Sequence, residues 1–385
     1  SHKVERGLSM ASGKSGIVQL RNNYFRSVDY FLLIPVVVLT IIGVFVLDRV
    51  LSEGYDGYPQ VLYRQAIAGF LGMSMALFIC LIHTHFLKII GWITYAVSTM
   101  LLILVLIDGF SMMEIWGADA WLNLPVLGTF QPSELSKIGL VVVTSYLLEA
   151  IKDKEIPYFR GIAALIAVYA LPVALIMKQP DFGTTMVILF SLACMIFVWG
   201  IKYRYLFLSI SGAVVVLLPL MWQFFLEPYQ KTRILSFIFA GSDPHGEYNL
   251  IQSKTAIASG GLIGNHTGTV VTVPVKQSDF IYSAVSEHMG FIGTTAVVFL
   301  AFFFLARCLY VGSKTRQKSY SYIVVGLSGS FAFHFIENIG MGVGLLPITG
   351  IPLPFISLGG TSLMVSYISF GIILNIAMER KSPRL

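Results

Sequence analysis

The stretch at 226–293 reads LEPYQKTRILSFIFAGSDPHGEYNLIQSKTAIASGGLIGNHTGTVVTVPVKQSDFIYSAVSEHMGFIG. It is a long polar segment, and the sequence on either side of it is apolar enough to lie in lipid. Cations and carboxylates are spread along it, among them Arg233, Asp243, Lys276 and Asp279. This contrast predicts a large extracytoplasmic loop at 226–279 between two membrane spans.

The overall composition indicates a membrane protein. Of the 385 residues, 56% are hydrophobic and 12% are charged, and the mean hydropathy is +0.78. Soluble domains average about 25% charged residues. Membrane topology explains the net charge of +6, so we expect no nucleic-acid partner. Cys80, Cys194 and Cys308 lie in apolar runs without metal-ligand spacing, so they predict neither a disulfide nor a metal site.

The apolar runs predict helical spans, because a hydrocarbon core about 30 Å thick needs about 20 apolar residues per helix. We predict an all-α polytopic membrane protein with about ten transmembrane helices at 30–378. Tails at 1–29 and 379–385 flank this domain, and the large loop lies between spans 7 and 8. The predicted spans are 30–47, 66–82, 87–107, 132–148, 159–177, 184–199, 206–225, 280–305, 322–341 and 361–378.

The basic residues predict the orientation of these spans. Eighteen of the 26 lysines and arginines lie in the two tails and in the loops after even-numbered spans. The positive-inside rule makes that side cytoplasmic, so both termini are predicted inside and the large loop outside. The other eight, on or near the outer face, suggest that something anionic binds there. They are Arg49, Arg64, Lys137, Lys178, Lys231, Arg233, Lys254 and Lys276.

Asp279 stands where the large loop becomes a helix, in the sequence Lys276-Gln277-Ser278-Asp279-Phe280. Partial burial at such a border raises the pKa of a carboxyl group toward the range useful for proton abstraction. Asp279 is therefore the candidate catalytic residue. The alternative is that Asp279 only caps the helix that follows, as aspartate often does.

The fourth predicted span opens with FQPSELSK at 130–137. Glu134 and Lys137 are three residues apart, so they share one helix face. Charges inside a membrane are costly and usually mark a pathway or a site. We expect Lys137 to meet an anionic group of a substrate while Glu134 holds it in place. A purely structural ion pair is the alternative.

Three more charged residues are candidates for substrate binding. Asp181, in QPDFGTT at 179–185, opens the sixth span, where helix capping is the favoured role and substrate contact the alternative. Arg233 and Lys276 are suited to neutralise a diphosphate, although solvated surface charge explains either one taken singly. The glycine run at 259–264 is a weaker signal for phosphate contact, because such runs are also simple turns.

The ninth span and the loop after it hold the remaining unusual residues. His334, Glu337 and Asn338 lie within an apolar run, and Glu337 has no predicted role. The loop at 345–362 contains three prolines and three glycines before the tenth span. Irregular backbone at membrane depth is tolerated only where protein or a water-filled cavity covers it. A cavity is therefore expected near this loop.

The motifs, in their order, resemble the SEDS family of bacterial shape, elongation, division and sporulation proteins. The resemblance covers nearly all of 30–378 and rests on five stretches. Its ITGIPLPF motif is closer to the sequences of the elongation branch than to those of the division branch. The stretches are FQPSELSK at 130–137, QPDFGTT at 179–185, AGSDPHGEYNLIQSKTAIASGGLIG at 240–264, SDFIYSAVSEHMGFIG at 278–293 and GLLPITGIPLPFISLGGTS at 344–362.

The resemblance implies an inverting peptidoglycan glycosyltransferase that polymerises lipid II at the outer face of the cytoplasmic membrane. It also implies a class B penicillin-binding protein as the crosslinking partner. The essential aspartate of the family falls on Asp279, its glutamate and lysine on Glu134 and Lys137, and its Gln-Pro-Asp aspartate on Asp181. Lys137 and Arg233, with Lys276 or a divalent cation such as Mg²⁺ or Mn²⁺ as a further contributor, would then offset charge on the leaving diphosphate.

The chain departs from the family pattern in places. Ala120 stands where many members carry an arginine, and Leu358 precedes Gly359-Gly360 in place of a tyrosine. The approach to Asp279 has Val275 and Lys276 in a stretch where glutamate and histidine are usual. These departures leave the transferred activity open to altered kinetics or partner choice.

Two other functions fit the same pattern of spans and polar residues. One is a transporter that moves the lipid-linked precursor across the membrane, since ten spans with polar residues near mid-membrane suit transport. The other is a scaffold that only recruits a crosslinking enzyme. A transporter leaves its substrate unpolymerised, and a scaffold does not need Glu134, Lys137 or Asp279.

Overall fold

A computed structural model describes residues 27–55, 57–107, 120–124, 128–212, 215, 219, 221–226, 228–239, 244–266 and 270–381. Residues 1–26 of the predicted tail at 1–29 lie outside the described residues, as do Asp56, Asp243 and the end of the chain at 382–385. The regular secondary structure of the described part is helical apart from one small hairpin. Its elements are α1 (Tyr30–Ser52), α2 (Gln60–Ile79), a 3-10 turn (Thr84–Phe86), α3 (Leu87–Val105), β1 (Leu122–Leu124), β2 (Gly128–Phe130), α4 (Pro132–Lys152), α5 (Tyr158–Lys178), α6 (Phe182–Trp199), α7 (Tyr203–Gly212), a π-helical turn (Met221–Phe225), α8 (Pro228–Ile238), α9 (Pro244–Ser259), α10 (Ile281–Lys314), α11 (Lys318–Val343) and α12 (Gly360–Lys381).

The predicted class of a polytopic α-helical membrane protein is confirmed. Eight helical segments of the described part are long and apolar enough to cross a membrane. The fourth predicted span corresponds to α4, a helix of 21 residues that carries charges and is mostly buried. The predicted seventh span lies partly outside the described residues. Among the described ones, α7 covers its start and the π-helical turn covers its end. The eight segments are α1, α2, Thr84–Val105, α5, α6, α10, α11 and α12.

A two-stranded hairpin precedes α4 and was not predicted. β1 and β2 are antiparallel, with Leu122 opposite Phe130 and Leu124 opposite Gly128. The hydroxyl of Thr361 donates to the carbonyl of Thr129 at 2.6 Å. The hairpin therefore joins the start of α4 to the start of α12.

The centre of the bundle is formed by α4, α11 and α12, most of whose residues are buried. Small residues allow these helices to approach their neighbours closely. A Cβ atom added to Gly371 of α12 would lie 2.7 Å from the Cα of Ala76 in α2. One added to Gly139 of α4 would lie 2.7 Å from the backbone nitrogen of Tyr95 in α3. Backbone contact of this kind holds the outer helices on the central three.

The outer helices turn large apolar side chains away from the bundle. Phe70 of α2 is 73% exposed, and Phe159 of α5 and Phe302 of α10 are similarly exposed. Exposed apolar surface of this extent suits lipid, because water would not solvate it favourably.

Helix α10 is broken at Gly290, whose backbone has φ 64° and ψ −162°. At the break, the amides of Phe291 and Ile292 donate to the carbonyls of Gly261 and Leu262 at 2.9 and 3.1 Å. A Cβ added to Gly260 would lie 1.9 Å from the Ser286 carbonyl oxygen. The glycine run at 259–264 thus packs against α10, where it serves as a turn.

One end of the bundle carries a cluster of cations around Asp29, which is fully buried. Arg307 donates to both carboxylate oxygens of Asp29, at 3.2 and 2.7 Å. Arg380 and Lys381 each lie 3.7 Å from the same carboxylate. The cluster joins the start of α1, α10 and the end of α12, all of which the positive-inside rule assigns to one side.

Candidate functional site

Asp279 lies at the end of a tight turn that immediately precedes α10. Val275 adopts a left-handed backbone with φ 55°. The Val275 carbonyl accepts hydrogen bonds from the amides of Ser278, Asp279 and Phe280 at 3.1, 3.1 and 3.4 Å. Phe280, and not Asp279, occupies the N-cap position of α10. The turn places the carboxylate at the border of loop and helix, as predicted.

The proline- and glycine-rich loop at 345–359 packs directly on this turn. A Cβ added to Gly350, which has φ 77°, would lie 3.3 Å from Oδ2 of Asp279. Asn338 Nδ2 of α11 donates at 2.8 Å both to the Asp279 carbonyl and to the Ile351 carbonyl. The Ser357 hydroxyl donates to the Ser278 carbonyl at 2.7 Å. The loop and the turn therefore form one unit around the carboxylate.

The surroundings of the Asp279 carboxylate change its ionisation. Burial raises the pKa of the Asp279 carboxyl above its ordinary value of 3.8, and the Ser278 hydroxyl and the Arg233 cation oppose that rise. The hydroxyl of Ser278 donates to Oδ1 at 2.7 Å, and no donor among the described residues hydrogen-bonds Oδ2. The residue as a whole is half-buried.

Glu134 and Lys137 form the predicted ion pair near the start of α4, with Nζ 2.7 Å from Oε1 of Glu134. Both side chains are buried. Lys137 also donates to Nε2 of His334 in α11 at 2.9 Å. His334 Nδ1 lies 3.1 Å from the Pro352 carbonyl of the loop that packs on Asp279. This chain of contacts connects Lys137 to the unit that contains Asp279.

Asp181 is the N-cap residue of α6, where the amide of Thr184 donates to Oδ1 at 3.0 Å. Gln131 Nε2 and the Ser133 hydroxyl donate to Oδ2 at 2.8 and 3.1 Å. Burial raises the pKa of the Asp181 carboxyl, and these hydrogen bonds oppose the rise. The geometry supports capping and the positioning of the start of α4 rather than direct contact with a substrate.

Lys276 does not present its charge to a ligand in this structure. Its ammonium forms a salt bridge with Glu287, lies 3.5 Å from Glu53, and donates to the Val271 carbonyl at 3.2 Å. Only 5% of the Lys276 side chain is exposed. The prediction that Lys276 neutralises a diphosphate is therefore not supported, because two carboxylates already neutralise it. Sequence spacing gave no sign of the contact with Glu53, which is 223 positions away.

The described residues contain no group of three or more histidine, cysteine, aspartate or glutamate side chains that would hold a metal ion. A Mg²⁺ ion often uses only one or two carboxylates together with substrate phosphates. A site of this kind would therefore bind Mg²⁺ together with the phosphates of its substrate.

Sequence reasoning left His334 without a role although it noted the residue. The sequence did contain a signal for a shared role, because His334, Glu337 and Asn338 have the spacing of one helix face. Their partners were not predictable from spacing alone. Glu337 Oε1 accepts from the Thr349 hydroxyl at 2.8 Å. The candidate site thus combines the Asp279 carboxylate, the Lys137 and Arg233 cations, and a loop held by polar groups of α11.

Comparison with known proteins shows what the chain resembles. The family model described as cell cycle protein, for FtsW, RodA and SpoVE, matches residues 26–382. The chain is 31% identical over 297 residues to the peptidoglycan glycosyltransferase MrdB of Escherichia coli (strain K12), covering 76% of this chain and 79% of that protein. It is 30% identical over 368 residues to the probable peptidoglycan glycosyltransferase FtsW of Geobacter sp. (strain M18), covering 92% and 97%.

Two solved structures are similar over almost the whole chain. One is from work on the coordination of polymerization and crosslinking by a peptidoglycan synthase complex, with a TM-score of 0.76 and 29% identity, covering 92% of this chain and 99% of that chain. The other is the rod shape determining protein RodA of Thermus thermophilus, with a TM-score of 0.67 and 27% identity, covering 92% and 97%.

Proposed function

This chain belongs to the family of the cell cycle proteins FtsW, RodA and SpoVE, and we propose that its peptidoglycan glycosyltransferase activity uses Asp279 as the general base. The activity is the one named for its relatives in two branches of the family. The observation that carries the proposal is the buried Asp279 carboxylate, whose Oδ2 lies against the Gly350 backbone. Its raised pKa makes it a stronger base than an ordinary aspartate.

The proposed reaction joins two lipid-linked substrates. A sugar hydroxyl of an incoming lipid II attacks the anomeric carbon of a glycan chain that is still attached to a lipid diphosphate. Asp279 accepts the hydroxyl proton as the new C–O bond forms. The bond between the anomeric carbon and the diphosphate oxygen breaks, and its electron pair leaves with the diphosphate. Attack from the opposite face inverts the anomeric centre.

The cations of the site would stabilise the leaving diphosphate. Lys137 is held by Glu134 and His334, and the field of Arg233 reaches Asp279. Cations placed where negative charge develops lower the barrier, because they act in a site with little water. A divalent cation is a further proposed component, which would supply additional charge at the diphosphate. These assignments favour Lys137 and Arg233 over Lys276.

We place the active face outside the cytoplasmic membrane and both termini in the cytoplasm. The distribution of basic residues supports this orientation. The proposed partner is a class B penicillin-binding protein that crosslinks the new glycan, for use in elongation and the maintenance of cell shape. Similarity to a structure of a peptidoglycan synthase complex and to RodA supports that choice.

The product distinguishes this function from the two alternatives. Purified protein in lipid vesicles, supplied with lipid II on the outer face, is expected to yield glycan polymer resolved by gel electrophoresis. A transporter would move lipid II across the vesicle membrane and leave it monomeric. A scaffold would do neither, even with the crosslinking partner present. Lipid II that is transported but never polymerised would overturn the proposal.

The polymerisation rate is expected to fall at acidic pH, with a midpoint above the ordinary aspartate value of 3.8. A general base acts only when ionised, and burial shifts the ionisation of Asp279 to higher pH. Folding raises this pKa, so the protonated form of Asp279 favours the folded state. A loss of activity at low pH would therefore not come from unfolding caused by protonation of Asp279.

Initial rates measured from about pH 4 to 8 give the acidic side of the pH–rate profile. The thermal midpoint is recorded at each pH. Asp279→Glu is expected to shift the pH midpoint of this fall in rate if the variant retains measurable activity. A rate that stays constant down to about pH 4 would contradict a base with a raised pKa.

A further inference from the structure

One face of α11 is bonded to the loop at 345–359 through three polar side chains. His334, Glu337 and Asn338 follow one another at helical spacing. They contact the Pro352 carbonyl at 3.1 Å, the Thr349 hydroxyl at 2.8 Å and the Ile351 carbonyl at 2.8 Å, respectively. His334 differs from the other two because its second ring nitrogen reaches the ammonium of Lys137.

The two contacts of His334 define its protonation pattern. The Pro352 carbonyl only accepts hydrogen bonds, so Nδ1 must carry the proton that it donates. The ammonium of Lys137 only donates, so Nε2 must accept through its lone pair. Both contacts are satisfied together only by a neutral imidazole protonated at Nδ1. His334 is 5% exposed and Lys137 is 6% exposed, so water does not compete freely for these bonds.

The ammonium of Lys137 has three N–H donors. Glu134 accepts one at 2.7 Å and His334 accepts another at 2.9 Å. The third meets no acceptor among the described residues. Two fixed acceptors determine the direction of the third donor, because the three N–H bonds of an ammonium are tetrahedral.

We propose that His334 is a positioning residue that orients Lys137, so that the remaining N–H of the ammonium meets a diphosphate oxygen of the lipid substrate. This inference rests on the function proposed above. Without His334 the ammonium would be held by Glu134 alone and would be free to rotate about that single contact. The neutral ring supplies a second acceptor without a second negative charge.

The absence of a second charge matters for an anionic ligand. Glu134 already neutralises Lys137 to a large extent. A carboxylate at position 334 would make the group net negative, and it would repel a diphosphate. A neutral histidine directs the cation without adding negative charge to the group.

Two isosteric substitutions separate the two contacts of His334. In His334→Gln, the amide group can occupy the place of Nε2 and accept from Lys137. In His334→Asn, the shorter amide can occupy the place of Nδ1 and donate to the Pro352 carbonyl, but it cannot reach Lys137. The probe is undecaprenyl diphosphate, and its Kd is measured for the full-length protein in detergent, with Lys137→Met as the reference variant.

His334→Asn is expected to weaken binding of the probe about tenfold, a loss typical of one hydrogen bond to a charged group. His334→Gln is expected to stay within about threefold of the original protein. In the Lys137→Met background, His334→Asn should change Kd by less than about twofold, because the residue that it positions is gone. Thermal midpoints of every variant report whether folding is retained.

The reverse order, with His334→Gln the weaker binder, would assign His334 to holding the loop and overturn the inference. An equal effect of His334→Asn in both backgrounds would overturn it as well. The proposed function fails separately, if Asp279→Asn polymerises lipid II at the original rate. Loss of probe binding in Lys137→Met with no effect of either His334 variant would leave the proposed function standing and refute only the role of His334.

Discussion

Asp279→Asn is expected to lower the rate of glycan polymerisation by about 10²- to 10⁴-fold, the range of general acid–base catalysis. Asparagine has nearly the same shape as aspartate, so the turn at 275–279 and the contact with Gly350 are preserved. It cannot accept the proton of the attacking hydroxyl. Initial rates measured with saturating lipid II report the loss.

Folding should survive this substitution. Burial disfavours the ionised form of Asp279, so a neutral amide at the same place removes a charge that folding does not favour. The thermal midpoint is therefore expected to stay the same or rise slightly. An unfolded variant would contradict this part of the prediction.

Asp181→Asn is the matched control, since Asp181 is also a partly buried carboxylate at the start of a helix. Asparagine caps helices about as well as aspartate. The rate should therefore fall less than about tenfold. Similar losses from the two variants would remove the distinction between a capping residue and a catalytic base.

Glu287→Gln is expected to lower the free energy of unfolding by about 3 kcal/mol, the lower end of the range for breaking a buried ion pair. Glu287 and Lys276 are 2% and 5% exposed, so the substitution leaves a buried ammonium without its main partner. Glu53, 3.5 Å from the ammonium and 21% exposed, compensates in part. Denaturant unfolding in mixed micelles measures the change.

Two controls test whether burial is the cause. Asp153→Asn breaks the exposed pair with Lys318, which should change stability by about 0–1 kcal/mol. Replacing Lys276 and Glu287 together by methionine should restore much of the loss from Glu287→Gln, because no buried charge is left unpaired. Equal effects of the buried and exposed single variants would refute the explanation.

The apolar runs made much of the fold predictable from the sequence. Lipid requires long apolar helices, so hydropathy alone located most spans. α4 was also predicted as a span from its apolar residues, although its charges make it less apolar than α3, α5 and α6. The hairpin at β1 and β2 escaped prediction because strands of three residues leave almost no periodic signal.

The candidate site was predictable in its charged residues but not in their partners. The position of Asp279 at a border of loop and helix followed from local sequence. From its local sequence Lys276 looks like a free cation, but Glu53 and Glu287 neutralise it through tertiary contacts. His334 and Lys137 are 197 positions apart, so no local pattern could pair them. Spacing determines which residues share a helix face, whereas packing determines what that face meets.

The measurement that separates catalysis from binding most directly follows one batch of Asp279→Asn protein through both steps. Lipid II binding is measured first, and the glycan product is then resolved by gel electrophoresis beside the original protein, with and without a class B penicillin-binding protein. If Asp279 is the general base, the variant binds lipid II with a Kd within about threefold of the original and forms no detectable polymer in either condition. Polymer formed by the variant at the original rate would contradict that role.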